Sequence, residues 1–215
     1  MLKLYSYFRS SAAYRVRIAL HLKGLPYEAV PVHLLRGGGE QHGQAFVDRN
    51  PARLVPVLQD GPAALTQSLA IIEYLEETHP SPPLLPRGAL ERAQVRALAL
   101  AVACDIHPIN NLRVRQYLDS RLGVDAELRS AWSRHWIDLG FSAIERMLAE
   151  SGAAGDFCHG KSPTLADCVL VPQVFNALGA QCSLERYPAI RRIYEHCTHL
   201  PAFQRAAPEA QPDAE

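Results

Sequence analysis

Four prolines fall within eight residues, His79-Pro80-Ser81-Pro82-Pro83-Leu84-Leu85-Pro86, near the middle of a chain of 215 residues. A proline has no amide to donate and its ring clashes with the preceding helical turn. Neither a helix nor a central strand can therefore run through this segment. It reads as a linker, and the chain is expected to fold as two domains, residues 1–81 and 88–215.

The two sides carry different patterns. Leu2-Lys3-Leu4-Tyr5 alternates apolar and polar residues, as a half-buried strand does. Ser10-Ser11 then precedes a helical stretch from Ala12 to Lys23, with Val16, Ala19 and Leu20 on one face and Gly24 as the stop. Tyr27 to Val32 predicts a second strand and Gln41 to Asp48 a short helix. Val55-Pro56-Val57-Leu58 and Ala64-Leu65-Thr66 predict two strands joined through Asp60-Gly61. Ser68 is placed as the cap of a helix whose apolar stripe is Ile71, Ile72 and Leu75. The order β-α-β-α-β-β-α makes a small mixed sheet with helices on both faces.

Beyond the prolines no strand pattern recurs. Glu91 to Asn110 is periodic as a helix, with Pro108 as an expected kink. Helices are also expected over Asp125 to Glu150, Leu165 to Leu178 and Ala189 to Leu200. Thr164-Leu165-Ala166-Asp167 has the spacing of a capping box, a folding device rather than a catalytic one. Ala206-Ala207-Pro208-Glu209-Ala210-Gln211-Pro212 reads as a disordered tail. The first domain is thus α/β and the second all-helical.

Composition narrows the function classes. Lys+Arg and Asp+Glu both number 22, so the chain lacks the basic footprint that phosphate backbones require, and no nucleic-acid partner is expected. No apolar run approaches the roughly 20 residues of a membrane span, and Met1-Leu2-Lys3-Leu4-Tyr5 opens without a leader pattern. A cytoplasmic protein with no membrane partner is expected. The cysteines, Cys104, Cys158, Cys168, Cys182 and Cys197, are odd in number and include no C-x-x-C pair. That fits neither a disulfide framework nor a zinc or redox dithiol site. His196-Cys197-Thr198-His199 is the densest metal-like patch, but no second ligand cluster accompanies it, so no metal is assigned.

Longer stretches resemble a known family. Arg9-Ser10-Ser11-Ala12-Ala13-Tyr14-Arg15-Val16-Arg17-Ile18-Ala19-Leu20 is similar to the signature of zeta-class glutathione transferases, which include the maleylacetoacetate isomerases. Asn50-Pro51, Val55-Pro56 and Gln67-Ser68-Leu69-Ala70-Ile71-Ile72-Glu73-Tyr74-Leu75-Glu76-Glu77 match the same family. So does Thr164-Leu165-Ala166-Asp167-Cys168 with Val171-Pro172-Gln173-Val174. Cys104-Asp105-Ile106-His107-Pro108-Ile109-Asn110-Asn111 and the tail look closest to the bacterial maleylpyruvate isomerases. The resemblance spans nearly the whole chain. It implies the glutathione transferase fold, a thioredoxin-like N-terminal domain followed by an all-helical C-terminal domain. It also implies a homodimer and glutathione as cofactor.

The implied chemistry is addition of a thiolate to the cis double bond of a maleyl-type oxo-diacid, rotation, and release of the trans isomer. A free thiol has a pKa of about 8.5 and is mostly protonated at neutral pH. A hydroxyl donor at the positive end of a helix stabilises its thiolate. The resemblance gives Ser10 this role, with Ser11 behind it. It sets the γ-glutamyl carboxylate at Gln67 and Ser68, a helix N-terminus being a ready anion site. It pairs the cysteinyl unit with the Val55 backbone ahead of a cis Pro56, and puts the glycyl end near Gln41 and His42. His107, Asn111 and Arg113 match positions that reach the cofactor from the helical domain. Arg9, Arg113 and Arg115 are candidates to hold substrate carboxylates.

Two departures stand out. The family's Ser-Ser-Cys is Ser10-Ser11-Ala12 here, which disfavours reductive dehalogenation through a mixed disulfide. The arginine that the isomerases usually carry shortly after Pro-Gln-Val is absent from Asn176-Ala177-Leu178-Gly179-Ala180. An uncharged electrophile would not need that arginine, so a conjugating or reducing glutathione transferase is the competing reading. A non-catalytic glutathione-binding module is third, because Ser10 and Ser11 are both present.

Overall fold

Buried and half-buried residues alternate along Leu2-Lys3-Leu4-Tyr5-Ser6, and this segment is the first strand, β1 (Leu2–Ser6), of the computed structural model, which describes residues 1–215. β2 (Tyr27–Pro31) pairs with it in parallel, bringing Leu4 opposite Ala29. β3 (Val57–Asp60) pairs with it antiparallel on the other side, and β4 (Ala63–Thr66) continues that hairpin, giving the order β2-β1-β3-β4. A parallel pair needs a crossover, and α1 (Ser11–Leu22) supplies it. Between β2 and β3 the chain makes tight turns and a single helical turn, α2 (Gln44–Val47).

The crossover helix is buried on more than the expected stripe. Val16, Ile18, Ala19 and Leu20 are wholly inaccessible, and Arg15 and Arg17 are buried with them. Two neighbours account for this: α3 (Ser68–Thr78) and, from the far end of the chain, α9 (Pro201–Ala206) both pack on α1. The proline segment is also tied down. The Lys23 ammonium, fully enclosed, donates to the Glu76 carboxylate at 2.7 Å and to the carbonyls of His79 and Pro82 at 2.7 and 3.0 Å. Glu76 in turn accepts the Leu84 amide at 2.9 Å. A buried ammonium and carboxylate each need every partner they can find, and they find them in the linker backbone.

The second compact unit, Leu85–Thr198, is all-helical. α4 (Ala89–Leu100) runs into a wider π turn over Ala101–Ile106. The regular helix therefore ends before Pro108 instead of kinking at it. α5 (Leu112–Ser120) has no fully buried residue, only the half-buried Leu112, Val114 and Leu118. α6 (Ala126–Glu150) begins with Asp125 accepting the Leu128 amide at 2.8 Å. Within it, a side chain at Gly140 would put its Cβ 2.3 Å from Ile106, so only glycine permits this approach. α7 (Leu165–Gly179) is mostly apolar and is buried on every side from Leu165 to Val174, emerging only in its last turn. Its capping box forms as expected: Asp167 accepts the Thr164 amide and hydroxyl at 2.7 Å and the Cys158 amide at 2.8 Å. α8 (Pro188–Thr198) completes the unit. No helix of the chain is long and apolar enough to cross a membrane.

The C-terminal end departs from expectation twice. Residues His199–Glu215 belong to the first unit, with Met1–Leu84, and not to the helical domain of residues 88–215. They are also ordered. Phe203, Ala206 and Pro208 are buried, and the buried Gln211 side chain donates to the carbonyls of Arg205 and Ala207 at 2.9 and 2.8 Å. Proline and alanine suggest disorder only when nothing covers them, and here α1 does.

Candidate active site

The chain leaves β1 through Tyr7 and Phe8, which sit in an apolar cluster with Val32, Phe46, Val55 and Val57. Burial pushes the Tyr7 phenol up, so it stays protonated. The chain then surfaces at Arg9, which is exposed, and turns at Ser10 into α1. The turn closes with the Ser10 amide donating to the Tyr7 carbonyl at 2.9 Å. The Ser10 Oγ accepts the Ala13 amide at 3.2 Å, the expected N-cap bond. A hydroxyl that accepts in this way keeps its own proton to donate. The half-buried Ser10 can thus offer that proton to an anion in the positive field of the helix start. Ser11 is the first residue of the helix and is only 5% exposed. The structure separates two adjacent serines that the sequence leaves equivalent. Ala12, half-buried, puts a methyl group where the family carries a thiol.

The start of α3 corrects one expectation. The cap position belongs to Gln67, not Ser68, and Gln67 has φ 68° and ψ 114°. A non-glycine residue in this region costs about 1–3 kcal/mol, and such residues cluster at functional sites. Gln67 is exposed, whereas Ser68 is buried and its Oγ accepts from Arg15 at 3.2 Å. Arg15 thereby ties α1 to the first turn of α3. Sequence reading missed it, although a cation inside a helix with apolar residues on every side is itself a signal that a buried partner exists.

The Val55–Pro56 bond is cis, as the resemblance implied, and both residues are buried. Gln41 is also buried. Its Nε2 donates to the Leu34 carbonyl at 3.3 Å, while its Oε1 is enclosed with no hydrogen-bond partner. An enclosed acceptor of this kind is suited to a peptide N–H. His42 beside it is exposed. Ser10, Ser11, Gln41, Val55, Pro56, Gln67 and Ser68 therefore share the first unit.

The remaining candidates lie in the helical unit. His107 is half-buried with its Nε2 3.4 Å from the Asn111 side-chain nitrogen. Asn111 caps α5, accepting the Arg113 amide at 3.1 Å. Arg113 and Arg115 are exposed on that helix. Next to them, both polar atoms of the Asn110 amide are enclosed without a partner. Gly179 is the exposed last residue of α7, and a Cβ there would meet nothing within 4 Å.

Residues 4–83 match the family described as glutathione S-transferase, N-terminal domain. A bacterial maleyl pyruvate isomerase of the zeta class, solved in its holo form, superposes with a TM-score of 0.96 at 51% identity, over 99% of this chain and 100% of that one. The chain belongs to the zeta-class glutathione transferases. A probable maleylacetoacetate isomerase of Vibrio cholerae is 56% identical over 98% of this chain and 97% of its own length. The maleylacetoacetate isomerase of Anaeromyxobacter dehalogenans, solved with dicarboxyethyl glutathione and citrate in its active site, shares 44% identity and a TM-score of 0.87, covering 100% of this chain and 98% of the other. Within this zeta-class fold, Ser10, Gln67 and Gln41 offer a hydroxyl donor, a helix N-terminus and an enclosed acceptor.

Proposed function

We propose that this chain is a glutathione-dependent cis–trans isomerase of a maleyl-type oxo-diacid, maleylpyruvate or maleylacetoacetate. The observation that carries the reading is the half-buried Ser10 hydroxyl, capping α1 with its own proton unspent, in a chain 56% identical to a probable maleylacetoacetate isomerase. Glutathione supplies a thiolate that adds reversibly to the cis double bond, so that the bond can turn before the thiolate leaves. The protein's part is to hold and to polarise. Ser10 donates to the sulfur, with Ser11 behind it. The first turn of α3 at Gln67 and Ser68 takes the γ-glutamyl carboxylate, the Val55 backbone takes the cysteinyl unit, and Gln41 and His42 take the glycyl end. In the helical unit, His107, Asn111 and Arg113 are the proposed cofactor contacts, with Arg113 and Arg115 as cations for the substrate. The first unit acts as the glutathione-binding domain and the helices of Leu85–Thr198 as the substrate-binding domain.

A direct test follows rates on maleylpyruvate and maleylacetoacetate, side by side, with glutathione far below the substrate concentration. Isomerisation over many turnovers with no loss of glutathione supports the reading. Turnover of neutral electrophiles only, with glutathione consumed, moves it to a conjugating transferase.

Substrate charge gives a second test. Arg9 is exposed, so its attraction for a carboxylate is screened by water and worth less than a buried pair. Arg9→Ala should raise KM for the diacid about tenfold with a smaller loss of kcat. Gly179→Arg, which has room for a side chain, should lower KM for the diacid and leave turnover of a neutral electrophile unchanged. Steady-state rates on both substrates check this, and a normal KM in Arg9→Ala removes Arg9 from the site.

We further propose a cytoplasmic homodimer, on the strength of the family resemblance. Its interface should exceed about 2,000 Å² in total. Light scattering at micromolar concentration that finds only monomer refutes the dimer.

A further inference from the structure

The C-terminal tail touches the loop that delivers Ser10. The Phe8 amide donates to the Asp213 carboxylate at 3.0 Å, across 205 positions of sequence. The peptide unit involved is the one joining Tyr7 to Phe8. Its carbonyl, that of Tyr7, accepts the Ser10 amide at 2.9 Å and a weaker 3.4 Å contact from Arg17. One rigid peptide plane therefore holds Ser10 on its oxygen side and is held by Asp213 on its nitrogen side. A carboxylate accepting an amide makes a stronger bond than a neutral acceptor. It also polarises the plane, so that the carbonyl opposite accepts more strongly.

The tail is anchored well enough to act as a support. Arg17 donates to the Ala206 carbonyl at 2.9 Å, and Gln211 donates twice to the backbone of Arg205 and Ala207. Pro208 and Gln211 are buried. Asp213 itself lies outside the stretches that carry the family resemblance.

We propose that Asp213 is a positioning residue for the Ser10 hydroxyl, acting through the Tyr7–Phe8 peptide. This rests on the reading of Ser10 as the thiol partner. Without the carboxylate the Tyr7–Phe8 plane can rotate, the Ser10 amide loses its acceptor, and the hydroxyl at the head of α1 is no longer fixed toward the sulfur. Asparagine keeps an oxygen acceptor for the Phe8 amide at the same distance from the backbone, so it preserves the support without the charge.

The experiment uses the full chain and titrates the thiol of bound glutathione by thiolate absorbance, beside the pH profile of kcat and a thermal melt. Asp213→Ala should raise the thiol pKa by about half a unit or more and lower kcat about tenfold, with KM for glutathione changed less than about twofold. Asp213→Asn should restore most of both. Glu209→Ala, which removes an exposed carboxylate of the same tail, should match the wild type. A lower melting temperature in Asp213→Ala with an unmoved thiol pKa overturns the proposal, because a merely structural residue changes how much enzyme is folded and not how its thiol titrates. Equal damage from Asp213→Asn and Asp213→Ala also overturns it. A wild type whose bound thiol titrates at its ordinary value removes the proposed function and this inference with it. A depressed wild-type value that persists in Asp213→Ala removes the inference alone.

Discussion

Ser10→Ala should lower kcat/KM by about a hundredfold or more, on the order of 3 kcal/mol, the usual loss when one preorganised donor to a developing or resting anion is removed. The difficulty is that Ser10 also caps α1, accepting the Ala13 amide. Loss of a cap alone costs about 1 kcal/mol of stability. Ser10→Asp separates the two roles. Aspartate caps a helix as well as serine does, but as a carboxylate it has no proton to give and its charge opposes a thiolate. The expected pattern is Ser10→Ala less stable and inactive, and Ser10→Asp as stable as wild type and equally inactive. Both variants should still bind glutathione, because the proposed contacts to its carboxylates lie elsewhere. Isothermal titration and a urea melt read binding and stability, and initial rates read activity. If Ser10→Asp retains activity, Ser10 is a cap only. If Ser11→Ala proves to be the inactive variant, the buried serine and not the half-buried one meets the sulfur.

How much of this was legible beforehand depended on how far apart the deciding residues lie. β1 and α6 could be read because their signals are local: strict alternation over Leu2–Ser6 in one case, and Asp125 opening a long periodic run in the other. The Thr164–Asp167 box could be read for the same reason. α5 was not, because it is short and only half-buries its few apolar residues, Leu112, Val114 and Leu118. The tail was misread because its order comes from α1, 189 positions away between Arg17 and Ala206. In the site, Ser10, Gln67 and the Val55–Pro56 pair were visible only as parts of a family motif. Composition and periodicity give a serine before a helix no role beyond capping it. The positive φ of Gln67 has no sequence signature at all, since glutamine is a poor choice for it and glycine the obvious one. Arg15 and Arg17 were hidden for a different reason. A charged residue on a helix is normally read as its solvent face, and that default fails when a helix is covered on every side.

That failure points to the residue whose loss should do most harm to the fold. Arg17 is 1% exposed, and its guanidinium donates to the Ala206 and Phe8 carbonyls at 2.9 Å, to the Ser6 hydroxyl at 3.0 Å and to the Tyr7 carbonyl at 3.4 Å. Burial pushes its pKa down to about 10, which still leaves it cationic at any physiological pH. Arg17→Met fills similar volume and relieves the desolvation of one cation. It also leaves three oxygens, the Ala206 and Phe8 carbonyls and the Ser6 hydroxyl, without the donor they have, each costing about 1–3 kcal/mol when enclosed and unpaired, while the Tyr7 carbonyl keeps the Ser10 amide. The second effect is larger, and a net loss of about 3–5 kcal/mol is expected, a large part of the roughly 5–15 kcal/mol that holds a domain together. Arg17→Lys should recover little of it. An ammonium is a compact point donor that cannot reach the end of β1, the Ser10 loop and α9 at once, whereas the guanidinium fork does. The damage should also be local in character. Arg17 holds the loop before Ser10 on one side and Ala206 on the other, so the tail should loosen at denaturant concentrations that leave Leu85–Thr198 folded. Urea titration followed by protease sensitivity near Ala206 checks both statements. A midpoint for Arg17→Met within experimental error of wild type would mean that the three oxygens find other donors and that the buried arginine is dispensable.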